Sequence, residues 1–249
     1  MKKRLLPALV MIALGIVSLY SCTKKNEQYT GNYGRNYFPL TFGKTVTYDV
    51  DSTLWDDFFC VKSLHHYQIR WTVSDTFRDN EFRLSYRIDS HIRTADSMPW
   101  QTHRVMYVTP TNNSLEMVEE NLRFVKLAFP IQNGNTWDGN SKISYVLDED
   151  LRRFDGWHYY YDKYSEPFND GFVNFENTVT VNQVNDTVNN PEISPNSFAS
   201  KTFSKEVYAQ GVGMVYRETI YWTYQPAAGG SGTGCRKGYG VIMRAVDHN

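Results

Sequence analysis

Few residues in this 249-residue chain are placed to do chemistry, and the sharpest of them is a carboxylate out of place. In the run from Met214 to Tyr224, alternation puts Met214, Tyr216, Ile220, Trp222 and Tyr224 on one face together with Glu218. Val215, Arg217, Thr219, Tyr221 and Thr223 take the other face. A carboxylate inside an aromatic row must be paired, protonated or wetted, because an unpartnered buried charge costs too much. Glu218 therefore lines a wet cavity or ligand pocket, or forms a structural pair with an arginine, or sits at a bulge that turns it outward. A second concentration is aromatic: Trp157, Tyr159, Tyr160, Tyr161 and Tyr164 crowd the stretch GWHYYYDKYSEPF. Alternation exposes some of these rings whichever face is buried, and exposed rings suit stacking on sugars or a protein interface. The alternative is that the domain covers both faces of the segment.

Familiar reaction chemistries are not written in the chain. It has no G-x-S-x-G elbow for a nucleophilic serine and no H-E-x-x-H for zinc. His65 and His66 are adjacent, so on a strand they point to opposite faces. Asp148-Glu149-Asp150 lacks the glycine and distal glutamate of a calcium loop. Gly230-x-Gly232-x-Gly234 has neither the spacing nor the strand-loop-helix setting of a phosphate cradle. The carboxylate pairs Asp56-Asp57 and Glu119-Glu120 are sequence neighbours, which says nothing of their spacing across a sugar. The expectation is a non-enzymatic protein with no catalytic residues, no metal ligands and no cofactor.

The one residue with an expected covalent fate is Cys22. Lys2, Lys3 and Arg4 precede an apolar run from Leu5 to about Val17 that ends in Leu19-Tyr20-Ser21-Cys22. A charged start, an apolar middle and a small residue before the cut define an export signal. The run is shorter than the roughly 20 apolar residues needed to cross a bilayer. With Leu19 three places before the cysteine and Ser21 one place before, the block resembles the lipobox of bacterial lipoproteins, although Tyr20 stands where a small residue is usual. That resemblance implies a signal peptide over residues 1–21 and acyl (palmitate-type) lipidation of Cys22. Each buried acyl methylene contributes about 0.8 kcal/mol, and two or more chains together hold nearly permanently.

The processed chain, residues 22–249, would carry 23 of the 26 basic residues against 27 acidic ones, a formal charge of −4. That balance argues against nucleic acid, which demands a basic footprint. Cys60 and Cys235 remain as one candidate disulfide in an oxidising compartment. A bond between them would close a loop of about 175 residues and contribute about 5 kcal/mol by the chain-entropy argument. The alternative is two buried thiols acting as small hydrophobes.

The elements that must position these residues read as strands. Residues 22–36 contain almost no aliphatic side chains and read as a flexible tether, and 37–249 read as a single β-rich domain. Alternation is clearest in Phe82, Leu84, Tyr86 and Ile88, and recurs in Val46, Tyr48 and Val50 and in Tyr67, Ile69, Trp71 and Val73. Residues 202–209 and 214–224 flank Gln210-Gly211-Val212-Gly213 as a long hairpin. Residues 114–126 read as a helix or as two strands joined at Glu119-Glu120-Asn121, and 148–154 as a second short helix. The expected fold is all-β and mainly antiparallel, with about ten strands in a curved sheet, sandwich or barrel-like arrangement and at most two short helices. Phe38-Pro39-Leu40-x-x-Gly43 and Phe129-Pro130-Ile131-x-x-Gly134 repeat one pattern 91 residues apart. They mark either a duplicated half or two strand starts that share a turn chemistry.

The lipobox, the short polar spacer, the richness in Asn, Asp and Tyr and the F-P-[LI]-x-x-G strand start together resemble outer-membrane lipoproteins abundant in Bacteroidota. Surface-displayed members of that group often carry acidic residues soon after the cysteine. Here Thr23-Lys24-Lys25-Asn26-Glu27 is basic, so the resemblance implies an outer-membrane lipoprotein facing the periplasm rather than the outside. The expected function is membrane-anchored binding of another envelope protein as an accessory or scaffold. Two alternatives are a carrier of an apolar ligand or acyl chain in a curved sheet, and carbohydrate binding through exposed aromatics. A cavity above about 300 Å³ would favour the carrier.

Overall fold

The computed structural model describes residues 33–146, 148–227 and 234–249. The expected export signal, Cys22, the expected tether as far as residue 32 and the glycines Gly230 and Gly232 lie outside the described residues. Residues 33–249 form one compact unit, in which the segment 33–36 lies against the fold. Gly34 is the reason: its backbone is left-handed at φ 85°, and a Cβ there would lie 2.6 Å from the Ile131 side chain. Glycine lets residues 33–36 press directly onto the fold.

The fold is all-β, with twelve antiparallel strands in one nearly closed, barrel-like sheet. In chain order these are β1 (Thr45–Asp56), β2 (Val61–Arg78), β3 (Leu84–Arg93), β4 (Gln101–Pro110), β5 (Ser114–Glu119) and β6 (Leu122–Ala128), then β7 (Thr136–Trp137), β8 (Tyr159–Asn169), β9 (Asn174–Val188), β10 (Ala199–Ala209), β11 (Gly213–Gln225) and β12 (Cys235–His248). Two short 3-10 turns, Arg35–Tyr37 and Glu149–Phe154, are the helical elements among the described residues. Residues 114–126 resolve as two strands, β5 and β6, turning on Glu120 and Asn121 with φ 50° and 64°. The apolar alternation at Phe82 does not extend β3. Phe82 sits in the preceding turn at φ 59°, its N–H bonded to the Asp79 carbonyl, because the ladder with β2 begins only at Leu84.

The spatial order is β6-β5-β4-β3-β2-β1-β12-β11-β10-β9-β8-β7. Each half of the chain is a six-stranded meander, and the two are joined where β1 pairs with β12. That pairing brings Cys60, in the β1–β2 turn, beside Cys235 at the start of β12, and the two form a disulfide with Cα atoms 5.1 Å apart. The repeated Phe-Pro segments introduce β1 and β7, the first strand of each half, and make the same hydrogen bonds. Gly43 N–H donates to the Val73 carbonyl on β2, and Gly134 N–H to the Tyr161 carbonyl on β8, both at 2.9 Å. The return bonds, Val73 to Lys44 and Tyr161 to Asn135, match as well. Both glycines are left-handed, at φ 79° and 80°.

At the other junction β6 faces β7 and β8 without a regular ladder. Val125 N–H donates to the Gly139 carbonyl at 2.8 Å, and Trp137 Nε1 donates to the Val125 carbonyl at 2.8 Å. The Tyr161 hydroxyl both donates to the Ala128 carbonyl and accepts from its N–H. Side chains thus cover two strand edges that would otherwise be open to foreign pairing.

One end of the barrel is solid. Tyr37 and Phe38 are buried there with Tyr48, Val73, Ile88 and Met214, and the Tyr48 hydroxyl donates to the Met214 carbonyl at 2.8 Å. Free space among these residues is about 30 Å³, no more than one water molecule's share. Trp71 closes this layer, its ring edge-on to Tyr48 at 5.0 Å.

Candidate ligand-binding cavity

Beyond Trp71 the barrel is hollow. A cavity of about 470 Å³ runs from that ring to the opposite rim, inside the range of small-molecule sites. β2 supplies Tyr67 and Ile69 and β12 supplies Tyr239, Val241 and Met243, as inward positions of strands with a period of two. The remaining wall comes from the β7–β8 connection: Phe154, at the end of the 3-10 turn, packs edge-on to Phe124 at 5.5 Å and tilted to Trp157 at 5.4 Å. Asn140 ties that wall down, its amide donating to the Phe154 carbonyl at 2.8 Å and its oxygen accepting from the Tyr159 hydroxyl at 3.0 Å.

The cavity floor is a buried network of four charges. Glu206 of β10 accepts from Lys126 Nζ at 2.9 Å, from Arg217 Nε at 2.8 Å and from the Tyr208 hydroxyl at 2.6 Å. Glu119 accepts from Arg217 Nη2 at 2.9 Å and pairs with Lys126 at 3.4 Å. Each half of the chain contributes one acid and one base. Burial by itself would raise the Glu206 carboxyl, but Lys126 and Arg217 more than offset it and hold it at about 2. Glu119 is lowered by the same balance, burial opposing and the two cations prevailing. Burial and the neighbouring Glu206 carboxylate push the Tyr208 phenol well above its ordinary value, so it acts as a donor. The network is neutral and satisfied, which makes two adjacent buried carboxylates tolerable.

Two polar groups on the wall are not satisfied. Gln183, 2% exposed on β9, accepts from the Ser204 hydroxyl at 2.6 Å through its oxygen, while its Nε2 has no partner. Rotating the amide would exchange which atom is left over without pairing it. Arg153 lies over the Phe154 ring at 4.9 Å and its carbonyl accepts from Trp157 Nε1 at 2.7 Å. Its buried Nε has no partner, and it makes no ion pair with any described residue. Arg104 at the rim, by contrast, is paired with Glu120 at 2.6 Å.

The residues singled out in the sequence do not form one site. Trp157 and Tyr159 are buried and line the cavity. Tyr161 is buried at the seam, Tyr164 packs against Tyr37 with ring centroids 6.1 Å apart, and Tyr160 is the exposed ring of the group at 44%. Glu218 is not on the cavity wall: it accepts from the Tyr216 hydroxyl at 2.9 Å and lies 3.8 Å from Lys205. Its neighbours Arg217 and Thr219 face the cavity instead. Sequence reasoning passed over Glu206, Lys126, Arg217, Arg153 and Gln183. Their signal was present in Ser204-x-Glu206-x-Tyr208 and in Phe124-x-Lys126, charges at inward positions of apolar strands. Among the described residues no three His, Cys, Asp or Glu side chains converge as a metal site. No protein-family model matches the chain, and no curated protein matches it.

Proposed function

We propose that this protein is a membrane-anchored binding module whose barrel carries a small amphipathic ligand. The supporting observation is a cavity of about 470 Å³ walled by aromatic rings and floored by a neutral ionic network, in a barrel whose other end is solid. Rings give large contact area at low entropic cost, while the few polar groups fix orientation. On this reading Cys22 carries the acyl anchor, the outer membrane's periplasmic face is the site of action, and the domain is a carrier rather than an enzyme. A partner-binding role is favoured by one further feature: Phe58, Phe59, Val61 and Leu64 are exposed together at the β1–β2 turn beside the disulfide. Such a tip suits docking of an envelope protein that delivers or receives the ligand.

The test uses the full chain with Cys22→Ser, so that neither acyl groups nor detergent compete, and the neutral fluorophore phenylnaphthylamine. The wild-type cavity is expected to bind one probe per chain, and Thr219→Trp, which fills the cavity from β11, to lose it with an unchanged circular-dichroism spectrum. Equal binding by Thr219→Trp would place the probe elsewhere and overturn the reading. The anchor has its own test: palmitate labelling in cells should appear on the wild-type chain and vanish with Cys22→Ser.

A further inference from the structure

We propose that the cavity selects a monoanionic amphiphile: an apolar or planar body along the aromatic wall and one carboxylate-class oxyanion held by Arg153 with Gln183. The inference rests on the cavity being a ligand site and adds the charge and polarity of what enters it.

Charge accounting among the lining residues carries the argument. Lys126 and Arg217 are matched by Glu119 and Glu206 on the floor, and Arg104 is matched by Glu120 at the rim. Arg153 is the cation left over on the wall, with no ion pair to any described residue. The floor carboxylates are already matched by Lys126 and Arg217, so an incoming cation would have to compete with charges in place. Both Glu206 oxygens already accept, one from Lys126 and Arg217 and the other from Tyr208. A neutral apolar guest would fill the volume yet leave the Arg153 guanidinium and the Gln183 amide unanswered. An oxyanion answers both, since native proteins rarely leave buried donors without acceptors and a guanidinium fork matches a carboxylate in two parallel hydrogen bonds.

Position supports the same assignment. Gln183 follows Asn182, which pairs with Tyr160, so it lies next to Tyr159 across the β8–β9 ladder. Arg153 is tied to Trp157 through its carbonyl, and the Trp157 and Tyr159 rings are 6.3 Å apart. Both unanswered donors therefore flank one aromatic wall. Arg153 also draws down the Tyr239 phenol, which burial raises, placing the cation near β12 toward the rim. The guanidinium is braced against Phe154 and presents its remaining N–H groups without needing to be ordered first.

The experiment measures displacement of phenylnaphthylamine from the Cys22→Ser chain by three amphiphiles of one chain length: dodecanoate, dodecanol and dodecyltrimethylammonium. Dodecanoate is expected to compete at about tenfold lower concentration than dodecanol, the advantage of one charge-assisted contact, with the ammonium compound weakest. Arg153→Gln should erase the preference of dodecanoate over dodecanol, and Arg153→Lys should restore part of it. Gln183→Leu should reduce the preference by about threefold, a neutral hydrogen bond's worth. Equal competition by all three amphiphiles, with the probe bound, would overturn the charge assignment and leave the cavity reading standing. So would a preference untouched by Arg153→Gln. Absence of probe binding to the unsubstituted cavity would overturn both.

Discussion

The two ends of this barrel are built from the same antiparallel strands and both are lined by aromatic side chains, yet one is solid and the other hollow. At the solid end, Phe38 from the leading segment meets Tyr48, Ile88 and Met214, leaving about 30 Å³, while Tyr37 is buried beside it against Tyr164. At the hollow end no such plug enters among the described residues. The β7–β8 connection lies along the wall instead, and about 470 Å³ remains. Trp71 borders both spaces, packed on Tyr48 on one side and 5.5 Å from the Arg217 guanidinium on the other. The lesson is that a barrel of this size needs a deliberate filling element, and that where the element is withheld the inward positions become available for charge. Four ionised side chains placed directly beyond Trp71 keep that region from collapsing into more apolar core, since each must stay paired and hydrogen-bonded to be tolerated.

The strongest blow to this contrast would fall on the charge layer. Arg217→Met removes one cation facing Glu119 and Glu206, leaving Lys126 to serve two buried carboxylates. Its expected cost in urea unfolding is about 3–5 kcal/mol. A cost below about 1 kcal/mol would mean that the network does not stabilise the boundary between the ends.

The contrast is sharpened by deleting apolar volume at each end in turn. Ile88→Ala opens a void in close-packed surroundings and is expected to cost about 2–5 kcal/mol. Leu122→Ala enlarges a space already open, so its expected cost is about 1 kcal/mol, with a larger effect on probe affinity than on stability. Equal unfolding costs for the pair would show that the hollow end is closed in solution.

The smallest expected effect separates the inside of β11 from its outside. Glu218→Gln, one residue from Arg217, leaves a contact to Lys205 that is already 3.8 Å long, and should change stability by no more than about 0.5 kcal/mol. A loss comparable to that of Arg217→Met would show that the carboxylate has a buried role after all.

Glu218 also shows where local pattern stops being legible. The alternation in β11 holds from Tyr216 onward, but a register shift between the Val207–Tyr216 and Tyr208–Met214 pairs turns Met214 to the interior side with Arg217 and Thr219, and both faces are substantially covered, with Trp222 buried on the Glu218 side. Hydrophobicity therefore could not say which face was the interior. The same ambiguity governs Tyr159, Tyr160 and Tyr161, where the odd positions are inside and the even one is out. Neighbouring strands decide that parity, and they lie far away along the chain.

Short-range chemistry was written plainly in this sequence. Period-two runs specify strands, the Gln210–Gly213 hairpin follows from glycines tolerant of left-handed backbone, and both Phe-Pro-x-x-x-Gly segments start strands through the same bonds. The pairing of Cys60 with Cys235 is expected from the cysteine count and is realised where β1 meets β12, whereas the partnership of Glu119 and Lys126 with Glu206 and Arg217 and the space beyond Trp71 arise only with closure of the sheet. The reason is range: a turn or an alternation is set by steric and solvation effects within a few residues. A cavity lined from Tyr67 to Met243, and a charge balance between side chains up to 98 positions apart, are brought together only by closure of the sheet.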